Sequence, residues 1–284
     1  MDAQSALSPN ATLLKMLQLA ISSEATLAKT QKNFHVTFER LGMGIEAMGL
    51  TGLIINAIRI SDRIEDAESL VRGAFERTRS LKGEIIFDKI KAGLQDRFDI
   101  MYGQLLPHLK GVRHTIDYGC GAGVLTQMLH DRLDMDIEGV DVRDFRASGV
   151  SVPISHFDGY RVPVADKHYE CAVLTNVIHH EAVNGRILME LDRIAAHKLV
   201  IIETVPEGST DAEAKADWGR MFLNDALWNR FFNYANIPCP GTYETPSGWE
   251  RRFRQYGWEV SHSEDLGFDQ PTIQDRHHLL VLER

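Results

Sequence analysis

The feature that most limits how this chain can fold is a repeating pattern that begins near residue 112. Short apolar runs rich in β-branched residues alternate there with segments of helical length; the runs read HTIDY, DIEGVDV, PISHF, YECAVLT, HKLVIIET, WEVSHSE and HHLLVLE. This alternation predicts an α/β fold, a doubly wound and mostly parallel sheet of seven strands with helices on both faces. The last two runs are joined by LGFDQPTIQD, which is too short for a crossover helix. We therefore predict that the last strand is antiparallel.

Residues 11 to about 107 have a different pattern. Apolar residues recur there every three or four positions, as in LLKMLQLAI, which is typical of amphipathic helices. We therefore predict an all-helical N-terminal extension over residues 1–108 and a second domain over residues 109–284. Within the second domain, residues 206–247 separate the fifth and sixth predicted strands and form an insertion.

Composition narrows the class of ligand. Hydrophobic residues make up 44% of the 284 residues, enough for a proper core, and the formal net charge is −9. This balance opposes general binding to nucleic acid or to anionic membranes, because both require a surplus of Lys and Arg. We therefore expect a ligand that is small or uncharged, with neither nucleic acid nor a membrane as partner.

The cysteines and the apolar runs predict a cytoplasmic protein. Cys120, Cys171 and Cys239 are odd in number and lack C-x-x-C spacing, so they support neither a disulfide framework nor a zinc ribbon. The N-terminus lacks a basic segment followed by an apolar core, and the run MGLTGLIINAI at 48–58 is too short to span a bilayer.

The stretch TIDYGCGAGVL places an aspartate two residues before three closely spaced glycines. Gly119, Gly121 and Gly123 lie between a predicted strand and a predicted helix, where the backbone can approach a ligand closely. The dinucleotide spacing G-x-G-x-x-G would place its third glycine at position 124, where this chain has valine. Asp117 beside the loop would also repel a pyrophosphate, whereas it favours a ligand that carries an ammonium. S-adenosylmethionine has a sulfonium and an ammonium but no phosphate, and it fits this loop.

The second predicted strand carries an acidic residue where a ribose contact is expected. Asp141 lies 22 residues after Gly119. That separation is close to the spacing of about 20 at which an acidic side chain binds ribose hydroxyls in doubly wound folds. Arg143, two residues later, is a hint toward the phosphate of NADP, which the glycine loop opposes.

Four segments together resemble the class I S-adenosylmethionine-dependent methyltransferases, of the small-molecule type often called methyltransferase type 11. They are IDYGCGAG at 116–123, GVDV at 139–142, FDGYRVPVADKHYECAVLTNVIHH at 157–180 and KLVIIETV at 198–205. The resemblance covers residues 109–205 and, more loosely, the two closing strands. It implies a Rossmann-like fold and S-adenosylmethionine as cofactor. The family's usual phenylalanine-aspartate pair before strand four is Tyr169-Glu170 here.

The resemblance also implies which residues contact the cofactor. It places Asp117 along the methionine end, Asp141 at the ribose and Asp158 at the adenine, whose exocyclic amine would donate to the carboxylate. Asp158 could instead be a plain turn residue before a glycine. The full set of expected cofactor contacts is Asp117, Gly119, Cys120, Gly121, Asp141, Val142, Asp158, Gly159, Thr175 and Asn176.

Two histidines follow the fourth predicted strand, at the carboxyl edge where such sheets bind ligands. His179 or His180 is the expected general base, since an imidazole can take a proton from a phenol, enol or amine that attacks the sulfonium methyl. One histidine could instead cap the strand while the other contacts the cofactor. Glu203, at the end of the fifth strand, is a second candidate for the base or an acceptor contact, unless it is only a satisfied strand end. No cysteine pair or H-E-x-x-H spacing accompanies the histidines, so no metal site is predicted.

The insertion between the fifth and sixth predicted strands is rich in aromatic residues. Phe222, Trp228, Phe232 and Tyr243 are the expected contacts of the methyl acceptor, because this segment commonly forms an acceptor lid in the family. The alternative is that they pack in a core. The helical N-terminus could be a lid, the interface of a homodimer, or both.

These features predict an enzyme that methylates a small, largely apolar or aromatic metabolite on oxygen, carbon or nitrogen, as in specialised metabolism. Methylation of RNA or protein is the alternative among enzymes. The acidic balance opposes it, and TNVIHH stands where an Asn-Pro-Pro-Tyr-type motif would follow strand four. A cofactor-binding subunit without transfer activity is the alternative outside enzymes.

Overall fold

The computed structural model describes residues 9–82, 85–144, 146–181, 185–208, 210–232 and 237–284. At 9–11, 79–82, 85–94, 211 and 232 the description is limited to the backbone. The chain divides into two compact units. We call the described part of 1–95, 206–241 and 270–275 the helical unit, and the described part of 96–205, 242–269 and 276–284 the sheet unit.

The N-terminal region is helical, as predicted. Its helices are α1 (Pro9–Ser22), α2 (Glu24–Arg40), α3 (Glu46–Ile60), α4 (Ile64–Lys82) and α5 (Ile85–Leu109). The start of α2 is fixed by Ser23, whose side chain accepts a hydrogen bond from the backbone N–H of Thr26. The unit boundary falls within α5, and the helical unit also contains the later segment 206–241. The lid and dimer functions expected of these two segments stay predictions.

The segment after the fifth strand begins with a well-capped helix. Helix α8 (Asp211–Ala226) starts at a reciprocal capping box, in which Thr210 accepts from the N–H of Glu213 and the Glu213 side chain accepts from the N–H of Thr210. A π-helix (Leu227–Phe232) continues from its end.

The sheet has seven strands in the order β3-β2-β1-β4-β5-β7-β6. The strands are β1 (His114–Tyr118), β2 (Asp136–Asp141), β3 (Ile154–His156), β4 (Tyr169–Thr175), β5 (Ala195–Val205), β6 (Glu259–Gly267) and β7 (Arg276–Glu283). The pairs among the first five strands are parallel, and the last strand is antiparallel to both of its neighbours. The predicted fold class is thereby confirmed, and each predicted run forms one strand.

Each face of the sheet is buried by its own hydrophobic cluster. On one face, residues of the central strands pack with α7 (Arg186–Ile194) and α9 (Pro246–Arg254). On the other face, they pack with α6 (Val124–Leu133) and the end of α5. The near-continuous apolar composition of β4 and β5 follows from this double burial.

The parallel strands bring the predicted site to one edge. The carboxyl ends of β1, β2, β4 and β5 lead to the glycine loop, to Asp141, to a 3-10 turn at Ile178–His180 and to Glu203. A crevice beside the carboxyl ends is where open parallel sheets bind ligands. Among the described residues, none of the helices is both long and apolar enough to cross a membrane.

Candidate active site

The three glycines after β1 have different structural roles, although all have positive φ: +78° at Gly119, +54° at Gly121 and +74° at Gly123. A Cβ on Gly119 would lie 2.6 Å from a methyl of Val177, and one on Gly123 would lie 2.4 Å from a methyl of Ile154. A Cβ on Gly121 would meet nothing within 4 Å. The outer glycines therefore permit close packing, and the middle one leaves open space beside the backbone.

Asp117 presents a buried acceptor without a donor. The side chain is 1% exposed. Oδ2 accepts from the Thr126 hydroxyl at 2.6 Å, while Oδ1 has no hydrogen-bond partner among the described residues. Burial raises the pKa of Asp117 to about 6; the Thr126 hydrogen bond opposes the rise, and the charge of Asp141 adds to it. A cationic donor from a ligand would satisfy Oδ1 and stabilise the charged form.

Asp141 holds the glycine loop against the end of β2. Its Oδ2 accepts from the backbone N–H of Gly121 at 2.8 Å, and its Oδ1 accepts from that of Arg143 at 3.2 Å. Each carboxylate oxygen has a second lone pair that can accept from a hydroxyl. The carboxylate can therefore fix the loop and bind a diol at once. Cys120 packs on the same strand, since a Cβ on Gly139 would lie 2.6 Å from its sulfur.

The carboxylate of Asp158 stabilises the turn after β3, and its expected contact with the adenine stays a prediction. Its Oδ1 accepts from the backbone N–H groups of Tyr160 and Arg161 at 2.8 and 3.0 Å, so the residue does stabilise a turn. The N–H groups of Arg161 and Tyr160 lower the pKa of this exposed carboxyl. Gly159, at φ +79°, lies against Val142, because a Cβ there would be 3.3 Å from a Val142 methyl. Val142 is 53% exposed and lies next to Asp141, where a flat apolar ring could rest on it.

The end of β4 is shaped by a left-handed residue. Asn176 has φ +56°, which asparagine tolerates better than most side chains. Its N–H donates to the carbonyl of Ile202 at 2.8 Å, and its Oδ1 accepts from the Thr204 hydroxyl at 3.2 Å. These bonds fix the turn that carries the chain from half-buried Thr175 to the two histidines.

Glu203, near the end of β5, and His179, in the 3-10 turn after β4, form a buried pair. The carboxylate is 1% exposed and the histidine 4% exposed, and Oε1 lies in a short contact with His179 Nδ1. Oε2 accepts from the N–H of Ile178 at 2.9 Å and from that of Val177 at 3.3 Å. Burial alone raises the pKa of Glu203, but the charge and hydrogen bond of His179 and the Ile178 N–H outweigh it and hold the pKa below its ordinary value.

The sequence does not predict this pairing, because Glu203 and His179 are separate candidates for the base there. Parallel pairing of β4 with β5 was the signal available in the sequence, since it brings their carboxyl ends together. Thr126, which donates to Asp117, and Val177, which packs on Gly119, were also missed. Both lie in helices or turns whose inward faces depend on tertiary packing.

Two further rings surround His179. The ring of His180 lies 4.1 Å from it, centroid to centroid, and that of Tyr243 lies 5.6 Å away. The neighbouring Thr242 hydroxyl donates to the carbonyl of Glu181 at 3.0 Å and so ties the Tyr243 segment to the histidine turn. Tyr243, one of the predicted acceptor contacts, thus lies beside the predicted base.

The other predicted acceptor contacts belong to the helical unit. Phe222 is fully buried and stacks on Trp218 with centroids 4.8 Å apart, and Trp228 is 8% exposed. The Trp218 indole N–H donates to the carbonyl of Gly241 at 2.8 Å. The side chain of Phe232 lies outside the described residues. The burial of Phe222 and Trp228 is typical of residues in a hydrophobic core. The acceptor contact expected of Phe222, Trp228 and Phe232 stays a prediction.

Comparisons with known proteins agree with this geometry. The model of a family described as "Methyltransferase domain" matches residues 94–263, more than half of the chain. A search of curated proteins gave no match.

Among the solved structures that match, we describe two methyltransferases, the first of which is similar in fold. The first is geranyl diphosphate C-methyltransferase from Streptomyces coelicolor A3(2) in complex with Mg²⁺, geranyl diphosphate and S-adenosyl-L-homocysteine. It is 15% identical, with a TM-score of 0.51 over 72% of this chain and 85% of that chain. Magnesium protoporphyrin IX methyltransferase from Synechocystis PCC 6803, with bound S-adenosylhomocysteine, is 16% identical, with a TM-score of 0.46 over 75% of this chain and 94% of that one.

Proposed function

The chain belongs to the methyltransferase-domain family of class I S-adenosylmethionine-dependent enzymes, and from that premise we propose that it methylates a small, largely apolar or aromatic metabolite with His179 as general base. S-adenosylmethionine is the cofactor that the family and the fold imply. When bound, it supplies a methyl group already activated by a sulfonium.

The residues at the carboxyl edge of the sheet fit this cofactor. The unpartnered Oδ1 of Asp117 suits the ammonium, and the open space beside Gly121 lets a ligand approach the backbone. Asp141 would hold the ribose, while Val142, Asp158 and Gly159 would border the adenine. The glycine loop with Cys120 would support the methionine end, which Thr175 and Asn176 would close.

The observation that supports His179 as the general base is its pairing with Glu203. A carboxylate only accepts hydrogen bonds, so at neutral pH it favours the tautomer in which His179 Nδ1 carries the proton. The lone pair is then on Nε2, the nitrogen that would take the proton of the acceptor. Glu203 would also stabilise the imidazolium that forms, as the aspartate does in serine hydrolase triads.

Glu203 is poorly suited to be the base itself. Its oxygens accept from His179 and from the backbone N–H groups of Val177, Ile178 and Thr204. These donors keep its pKa low and oppose protonation. We therefore assign Glu203 to orienting His179, with His180 as the alternative base beside it.

The proposed acceptor is a phenol, enol or amine with an apolar or aromatic body. The histidine supports an acceptor that must lose a proton, and the ring of Tyr243 beside it supports an apolar or aromatic surface. The formal net charge of −9 opposes an RNA substrate.

The test is a screen of small phenols, enols and amines with methyl-labelled S-adenosylmethionine, with total RNA and a protein extract as parallel acceptors. We expect label in a small molecule, and loss of that label in His179→Ala while cofactor binding persists. Label that appears only in RNA or protein would contradict the proposal.

A further inference from the structure

A second cluster of ligating side chains lies at the opposite ends of the parallel strands. His114 is the first residue of β1, Glu138 lies in β2, and His168 immediately precedes β4. Each offers one ligand atom, and these three atoms all lie within 4.8 Å of one another. The active-site residues follow the carboxyl ends of these strands, so the cluster is separate from that site.

A hydrogen bond to one ring nitrogen orients His114 for binding a metal. Its Nδ1 lies 3.0 Å from the backbone carbonyl of His168. A carbonyl only accepts, so Nδ1 carries the proton and the lone pair is on Nε2. Metal-binding histidines commonly donate their other ring N–H to a backbone carbonyl in this way, which fixes the tautomer and the ring orientation.

Glu138 is oriented by a comparable bond. The Tyr169 hydroxyl donates to its Oε1 at 2.6 Å, which leaves Oε2 to face another partner. Tyr169 is itself fully buried, and its ring lies 5.0 Å from that of His114 and 4.8 Å from that of His168. One buried phenol thus supports all three side chains.

A fourth potential ligand, the carboxylate of Asp136, lies within reach. Asp136 is the residue paired with His114 across β1 and β2, and its Oδ2 lies 4.0 Å from His114 Nε2. The four groups together provide two imidazoles and two carboxylates. Imidazole with carboxylate is a donor set typical of Zn²⁺, whereas Mg²⁺ and Ca²⁺ favour oxygen ligands alone.

We propose that His114, Glu138 and His168 bind a zinc ion, with Asp136 or water as the fourth ligand. The sequence predicted no metal site, because residues 114, 138 and 168 have no motif spacing and meet only through the sheet. The ion would join the first residues of β1 and β2 to the segment before β4. Its role would be to stabilise the sheet, and it does not depend on the proposed methyl transfer.

The experiment is calorimetric titration of the full chain, without a histidine tag and after chelator treatment, with zinc chloride. His168 is exposed, so His168→Ala should fold, as circular dichroism can verify. We expect this variant to lose one bound zinc equivalent, or to bind it at least about tenfold more weakly. His197→Ala, which removes another exposed histidine from the same unit, should bind zinc like the wild type.

Two further variants separate zinc binding from simple packing. Glu138→Gln keeps an oxygen for the Tyr169 hydroxyl but loses the anionic ligand, and it should weaken binding. Zinc should raise the melting temperature of the wild type and of His197→Ala but not that of His168→Ala, because a ligand bound only to the folded state stabilises it. Equal zinc stoichiometry and affinity in wild type and His168→Ala would overturn the site, and would leave the methyltransferase proposal unaffected.

Discussion

Glu203 contacts His179 at Nδ1, and both side chains are buried near the carboxyl ends of adjacent parallel strands. The same carboxylate accepts two backbone N–H groups of the turn that carries the histidine. It therefore fixes the position of the ring as well as its tautomer. Loss of either function should be visible in turnover.

Glu203→Gln should lower kcat by about 10²- to 10⁴-fold, the range seen when a general base or its orienting carboxylate is removed. The pH–rate profile should shift toward acid, because the carboxylate no longer stabilises the imidazolium. Affinity for S-adenosylmethionine should stay unchanged. Glu259→Gln, at an exposed position of β6, is the control and should behave like the wild type. A Glu203→Gln enzyme with normal kcat would show that the pair is only structural.

The two adjacent histidines should differ in effect. His179→Ala should lower turnover by about a hundredfold or more, while His180→Ala should have a smaller effect, because Glu203 contacts the first ring. Cofactor titration by calorimetry verifies that both variants still bind. The reverse order of effects would make His180 the base.

Asp141→Ala should weaken S-adenosylmethionine binding by about 1 to 3 kcal/mol, since it leaves hydrogen-bonding partners unpaired. Part of that loss would come from the glycine loop, because Asp141 accepts from the N–H of Gly121. Asp141→Asn helps to separate the loss of the loop contact from the loss of the ribose contact. Its amide oxygen can still accept one N–H, while the negative charge is gone. Calorimetric titration of both variants measures the difference, and unchanged affinity in folded Asp141→Ala would place the ribose elsewhere.

Asp117 should make cofactor binding dependent on pH. With its pKa raised to about 6, the carboxylate becomes protonated as pH falls through that value and loses its attraction for an ammonium. The affinity of the wild type should therefore fall between pH 7 and pH 5. Asp117→Asn should bind weakly at both pH values, without this dependence on Asp117. Titrations at the two pH values test the assignment.

A fall in pH should have the opposite effect on the stability of the cofactor-free chain, because protonation of Asp117 favours the folded state. Its folded pKa lies above the ordinary value of 3.8, so the cofactor-free folded chain binds more protons than the unfolded chain between about pH 4 and 6. The contribution of Asp117 to the free energy of unfolding is therefore most stabilising below pH 4 and is lost as the pH rises through 6. Without cofactor, Asp117→Asn should melt above the wild type at pH 8, and this advantage should shrink at pH 5.

The positions of several candidate residues could be predicted because their signals are local. Asp117, the glycines and Asp141 stand at fixed offsets around two strands, and β-branched runs identify the strands themselves. The Glu203–His179 pair and the His114 cluster could not be predicted in the same way, since their members are brought together by strand pairing. The unit boundary within α5 depends on packing too, because the helical periodicity continues across it.

The aromatic residues provide a test of which side chains bind the acceptor. Tyr243→Ala should raise the acceptor KM with little change in cofactor affinity, because its ring lies beside His179. Phe222→Ala should cost roughly 3 to 5 kcal/mol of stability, because the side chain is fully buried against Trp218. Thermal melts beside steady-state kinetics distinguish these effects. A raised acceptor KM in a stable Phe222→Ala enzyme would favour the lid that the sequence predicts.

The unpartnered oxygen of Asp117 also has a consequence for the end of the catalytic cycle. The ammonium that it would bind is present both in the methyl donor and in S-adenosylhomocysteine, the product left after transfer. Through its contact with the ammonium, Asp117 would bind the spent molecule as well as the fresh one, and the lost sulfonium charge and methyl group would distinguish them. Product inhibition should be strong and competitive with the donor, and the enzyme's rate in a cell would then depend on how quickly another activity removes S-adenosylhomocysteine.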